Sequence, residues 1–87
     1  MNEINNTEIM IKTIRIKLLS EYYDAVERRI KNFEVRYNDK DYRVGDWLVL
    51  CEWDGREYTG YGIVRRITYI YNLDGIGLKG WVVMGIE

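Results

Sequence analysis

Apolar residues along this chain recur at every second position, except in one stretch where they follow the period of an α-helix. That single switch limits the fold to several strands and one early helix. Ile14, Ile16 and Leu18 alternate with Arg15 and Lys17, the pattern of a half-buried strand. Leu19, Tyr22, Tyr23, Val26 and Ile30 then keep helical spacing, which predicts a helix over 21–30. Ser20 stands where an N-cap is wanted. Glu21 and Asp24 at its start and Arg28 and Arg29 at its end suit the helix dipole. Asp24 with Arg28 and Glu27 with Lys31 have the order and spacing of stabilising i,i+4 pairs.

Beyond residue 31 the period returns to two. Phe33, Val35 and Tyr37 alternate with Asn32, Glu34 and Arg36, which predicts a strand with its polar face in water. A turn at 38–41 and a tight entry at Val44-Gly45-Asp46 precede Trp47-Leu48-Val49-Leu50-Cys51. That run is apolar at consecutive positions, so both its faces are expected to be covered, with Trp47 in the core. Asp54-Gly55 signals a hairpin. Residues 58–71 supply one long strand or two, with Gly60 and Gly62 allowing a bend. A glycine-punctuated loop over 72–80 leads to a closing strand from Trp81, whose indole is also expected inside. The order is β-α-β-β-β-β, an α+β chain that is mainly β. A small closed barrel with the helix plugging or flanking it would leave no exposed strand edge. Residues 1–8 form a polar, frayed N-terminus in this reading, and 9–87 a single domain.

Composition narrows the function more than the fold. The chain has 87 residues, a net charge of −1, no histidine and one cysteine. Without histidine, Ser-His-Asp, Cys-His and His-ligated metal chemistry drop out. Cys51 has no disulfide partner and is expected to act as a small buried hydrophobe. No metal and no cofactor are expected. No stretch is long enough to span a bilayer, and no signal-peptide pattern opens the chain, so the cytoplasm is the expected location. Asn5-Asn6-Thr7 is then a chance sequon. With so small a net charge, any nucleic-acid site has to be a local patch. Lys12, Arg15, Lys17, Arg28, Arg29, Lys31 and Arg36 crowd together in sequence. On charge alone they describe a solvated surface interspersed with carboxylates.

The segment Arg29-Ile30-Lys31-Asn32-Phe33-Glu34-Val35-Arg36 resembles the ASCH motif Gly-x-Lys-x-x-Glu-x-Arg, matching at Lys31, Glu34 and Arg36. Residues 20–26, Asn38-Asp39, Val44-Gly45-Asp46, Glu52-Trp53, Tyr58-Thr59-Gly60, residues 67–70 and the glycine-rich stretch over 74–80 follow in the order seen in small bacterial and phage members of that superfamily. The resemblance covers roughly residues 10–86. It implies a PUA-like β-barrel whose cleft beside the helix holds RNA or a nucleobase. Two positions depart from the pattern: Ile14 stands where relatives carry an early histidine, and Arg29 stands at the glycine.

Read physically, Glu34 and Arg36 lie two apart on a strand and point to one side, roughly 7 Å apart. Lys31 sits where the helix hands over to that strand. The cations suit a phosphate or a base carbonyl, and the carboxylate suits an exocyclic amine. Tyr22, Tyr23 or Trp53 supplies a ring for stacking. The expected partner is RNA, another single-stranded nucleic acid or a nucleotide. A surface ion-pair network is the plain structural alternative. Two other functions compete. Some ASCH members act as small amidohydrolases on acylated nucleosides, but they use a threonine three residues after the lysine, where this chain has Glu34; Thr59 or Thr68 would have to stand in. A phage-type regulator acting by protein contact would show an exposed aromatic patch in place of a polar cleft.

Overall fold

A computed structural model describes residues 10–87; the frayed terminus and the sequon expected from the sequence lie outside them. Strand β1 (Thr13–Leu19) runs directly into helix α1 (Ser20–Glu27), followed by β2 (Phe33–Tyr37), β3 (Trp47–Trp53), β4 (Tyr58–Asn72) and β5 (Trp81–Ile86). The expected element order is found. The five strands form one sheet in the order β1-β3-β4-β5-β2. β1 and β3 are parallel, and every other pair is antiparallel.

The sheet does not close. β1 and β2 are its two edges, so the closed barrel expected from the strand pattern is replaced by an open, curled sheet with a seam. The fifteen-residue β4 makes the curl possible. Its first half pairs with β3 and its second half with β5. Register irregularities between Cys51 and Trp53 and between Ile67 and Tyr69 bend it.

The core lies on the inner face. Ile14, Ile16 and Leu18 of β1, Leu48 and Leu50 of β3, Ile63 and Ile67 of β4, and Val82, Met84 and Ile86 of β5 are buried there. Tyr23 and Val26 of the helix pack against them. Alternation puts the odd positions of β3 and β5 on the outer face. Trp47 and Trp81 are therefore 41 % and 40 % exposed and are not core residues. Cys51 shares that face and is only half-buried.

The helix is shorter than its apolar spacing suggests. Ser20 is its first helical residue and not its cap; the Ser20 hydroxyl instead meets the Trp53 carbonyl at 3.4 Å. At the far end the Arg29 N–H donates to the Val26 carbonyl and the Ile30 N–H to the Ala25 carbonyl. This is a Schellman termination, and it requires a left-handed residue at Arg29, whose φ is 60°. Glycine would fill that position without strain. The Asp24–Arg28 pair forms at 3.3 Å, whereas Lys31 turns away from Glu27 toward Glu34.

Elsewhere two carboxylates organise the turns. Asp54 accepts from the Arg56 and Glu57 N–H groups in the β3–β4 hairpin. Asp46, 2 % exposed, accepts from the N–H groups of Lys12 and Arg43 and pairs with Lys12 Nζ at 2.6 Å. That clamp fixes the start of β3 against the approach to β1.

Candidate functional site in the seam of the sheet

Strand β2 carries the largest surprise. Its alternation is real, but its phase is opposite to the expected one. Phe33, Val35 and Tyr37 face outward and are exposed, while Glu34 is 2 % exposed and Arg36 is half-buried beside it. A polar strand face pointing inward is costly unless each charge finds a partner. Glu34 finds two. Its Oε1 accepts from Lys31 Nζ at 2.5 Å and its Oε2 from Arg36 Nε at 3.0 Å.

These cations also reach the two edges of the sheet. Alternate residues of a strand direct their N–H and C=O groups to opposite sides. The Lys12 carbonyl points to β3, where it accepts from the Trp47 N–H, so the Lys17 carbonyl points into the seam; Arg36 Nη2 donates to it at 2.8 Å. The Asn32 carbonyl points to β5, so that of Phe33 points into the seam; Lys31 Nζ donates to it at 2.7 Å. One carbonyl on each edge is thus capped by a cation, and Glu34 holds both cations in place.

Around this triad lies a cleft of about 750 Å³. Arg15, Lys17, Lys31, Arg36 and Lys40 line it against the carboxylates of Glu34 and Asp39. Tyr22, Tyr37, Tyr42, Tyr58 and Trp81 supply aromatic walls. Burial pushes the Tyr42 phenol above its ordinary pKa, with Asp39 and Glu34 adding to the rise and Arg36 opposing it. It therefore stays protonated at neutral pH and is a hydrogen-bond donor there.

Of the residues singled out from the sequence, Lys31, Glu34, Arg36 and Tyr22 converge on this cleft. Trp53 does not line it. Its ring is covered by Lys17 Nζ at 3.9 Å and packs edge-on against Tyr58 at 4.9 Å. Glu52 accepts from the Thr59 hydroxyl and lies in a separate depression with Tyr23 and Tyr61. Neither Thr59 nor Thr68 lines the cleft, and among the described residues no serine, threonine or cysteine does. Sequence reasoning missed Arg15, Lys17, Lys40, Tyr37, Tyr42, Tyr58 and Trp81. Arg15 and Lys17 were visible as the cationic side of β1; only the topology says that this side faces β2. The crowd of early cations accordingly divides. Arg15, Lys17, Lys31 and Arg36 meet in the cleft, whereas Lys12 and Arg28 are taken by Asp46 and Asp24. Among the described residues, no group of three acidic, histidine or cysteine side chains is placed to hold a metal ion, and no helix is long and apolar enough to cross a membrane.

Fold and cleft together define a class: a mainly β, single-helix domain with an open five-stranded sheet and a basic, aromatic-walled seam. More particularly, the chain belongs to the family described as Domain of unknown function (DUF3850), which matches residues 13–86. It is also 37 % identical over 65 residues to the "Uncharacterized 12.9 kDa protein in GpA 3'region" of Escherichia phage P2. That alignment covers 75 % of this chain and 60 % of the phage protein.

Proposed function

We propose that this chain is a PUA-like binding module of the ASCH type that takes RNA or another nucleobase-bearing ligand in its seam. The observation that carries this reading is the inverted phase of β2. A buried carboxylate holds two cations at the unpaired edges of a sheet, inside a cleft where cations outnumber carboxylates and aromatic rings form the walls. The free donor positions on Lys31 and Arg36, with Arg15 and Lys17 nearby, suit a phosphate; the tyrosines and Trp81 suit the flat face of a base. Glu34 is 2 % exposed and each of its oxygens already holds a cation, so its role in this reading is to position Lys31 and Arg36. The resemblance of 29–36 to the ASCH motif supports the same assignment. A hydrolytic role is not favoured, because among the described residues no serine or threonine hydroxyl lines the cleft.

Titration with nucleoside monophosphates and short RNAs at two salt concentrations tests the proposal. Affinity should fall with salt; for three single-strand phosphates the log–log slope is roughly −2. Arg15→Ala with Lys17→Ala, two side chains outside the Glu34 clamp, should weaken binding at least tenfold, with the melting temperature lowered only by the few degrees that the lost Lys17–Trp53 contact accounts for. Salt-independent binding that survives in this variant and in Lys31→Ala/Arg36→Ala would remove the cleft from consideration.

A further inference from the structure

The inverted phase of β2 has a second result, on the other side of the strand. It turns Phe33, Val35 and Tyr37 outward, beside Trp81 and Val83 of β5 and Tyr69 and Tyr71 of β4. The register places Tyr71, Val83 and Val35 in one row across the three strands, and Tyr69, Gly85 and Phe33 in the next. Tyr37 and Trp81 meet edge to face at 5.9 Å. No side chain in this block carries a charge. By strand geometry it spans roughly 10 Å across and 14 Å along the strands. Five of its side chains, Phe33, Tyr37, Tyr69, Tyr71 and Trp81, are aromatic rings open to solvent.

We propose that this face is a stacking platform for a single-stranded nucleic acid whose phosphates and first base occupy the cleft. The inference rests on the nucleotide-binding reading of the cleft and extends it from one nucleotide to several. Two observations choose this occupant. First, the platform and the cleft are continuous: Tyr37 and Trp81 belong to both. Second, a cation stands beside the rings. Lys31, held in the cleft, lies 4.9 Å from the centre of the Phe33 ring. A ligand crossing from one to the other has to be anionic at one end and flat and apolar at the next. A single strand meets both needs with one repeating unit, and sheet-borne aromatics stack two or three bases in this way.

The test compares a mononucleotide with labelled RNA and DNA octamers on the full chain. The octamers should bind at least tenfold more tightly than uridine monophosphate. Tyr71→Ala and Tyr69→Ala, both at exposed positions, should each weaken octamer binding about tenfold. Neither should change mononucleotide affinity, and Tyr71→Phe should keep the wild-type value. A preference for RNA over DNA would place a 2′-hydroxyl contact in the path. If octamer and mononucleotide bind equally, or the alanine variants bind the octamer normally, the platform is overturned while the cleft reading stands. If neither ligand binds, the cleft reading fails first and the platform with it. If the chain self-associates and Tyr71→Ala makes it monomeric, the face belongs to a second copy and the proposal is wrong.

Discussion

Removing the Glu34 carboxylate separates a structural role for the triad from a functional one. Glu34 is 2 % exposed and accepts two charge-assisted hydrogen bonds, from Lys31 at 2.5 Å and Arg36 at 3.0 Å. In Glu34→Ala two cations are left close together with no counter-charge. Breaking a buried pair costs about 3–5 kcal/mol, and each hydrogen bond to a charged group contributes about 1.5–3 kcal/mol net. The Lys31 and Arg36 side chains keep 19 % and 26 % exposure, so both can turn toward water. The loss should therefore sit near the low end, about 3 kcal/mol, which for a domain of this size lowers Tm by about 12–24 °C. The informative partner is the triple variant Glu34→Leu/Lys31→Met/Arg36→Met. Replacing a complete buried ionic cluster with apolar side chains of similar volume is often neutral or stabilising. Urea melts of the two variants, paired with nucleotide titrations, give the answer. The expected result is a weakened single variant, a triple variant as stable as the parent, and no nucleotide binding by the triple variant. A triple variant that is as unstable as the single one would refute this reasoning, because the triad would then be a structural clamp for the seam.

Two further predictions concern stability alone. Arg29→Gly relieves a left-handed residue at the helix stop, partly offset by the greater freedom of glycine in the unfolded chain, so it should stabilise by about 0.5–1 kcal/mol in a urea melt. Burial opposes ionisation of Asp46, but hydrogen bonds from Lys12 and Arg43 outweigh it and hold its pKa below the ordinary value. A depressed folded pKa means that the stability Asp46 contributes is complete above its unfolded pKa, about 4, and is lost as pH falls through the folded value. Asp46→Asn should cost about 2–3 kcal/mol at pH 7 and flatten the acid limb of stability measured between pH 7 and pH 2.

Much of the architecture was legible because it rests on local period. The single helical stretch, the strand order along the chain and the Asp54-Gly55 hairpin are all written in residue spacing. What local period does not contain is phase and pairing. Alternation in 32–37 states that β2 has two unlike faces, but which one turns inward depends on what the rest of the sheet offers. Here the seam offers two unpaired edges, and these accept Lys31 and Arg36 as readily as water does. The same blindness put Trp47 and Trp81 in the core. Large apolar residues are usually buried, yet Leu48 and Val82 hold the inward positions, and their tryptophan neighbours on the strand must face out. Closure was equally out of reach, because it turns on whether β1 and β2 exchange hydrogen bonds, and no residue pattern in either strand encodes that.

The open seam raises a competing explanation for the triad that the physics has to meet. Unpaired strand edges invite pairing with other chains, and inward-pointing charges are one of the ways proteins block it. Lys31 and Arg36 do cap one carbonyl on each edge, so they serve that end whether or not a ligand binds. Edge protection, however, needs only a charge near the edge. It does not need a buried carboxylate with both oxygens engaged, nor Arg15, Lys17 and Lys40 gathered around the same space, nor five aromatic rings on its walls. Those features add local positive potential to a chain whose overall charge is slightly negative, and like charges brought together work against folding. A concentration of cations beyond what edge protection needs is what the proposed site for an anionic ligand would use. The two roles also separate in the triple variant: losing the guard should make it associate as its concentration rises, while losing the site should silence nucleotide binding even in the monomer.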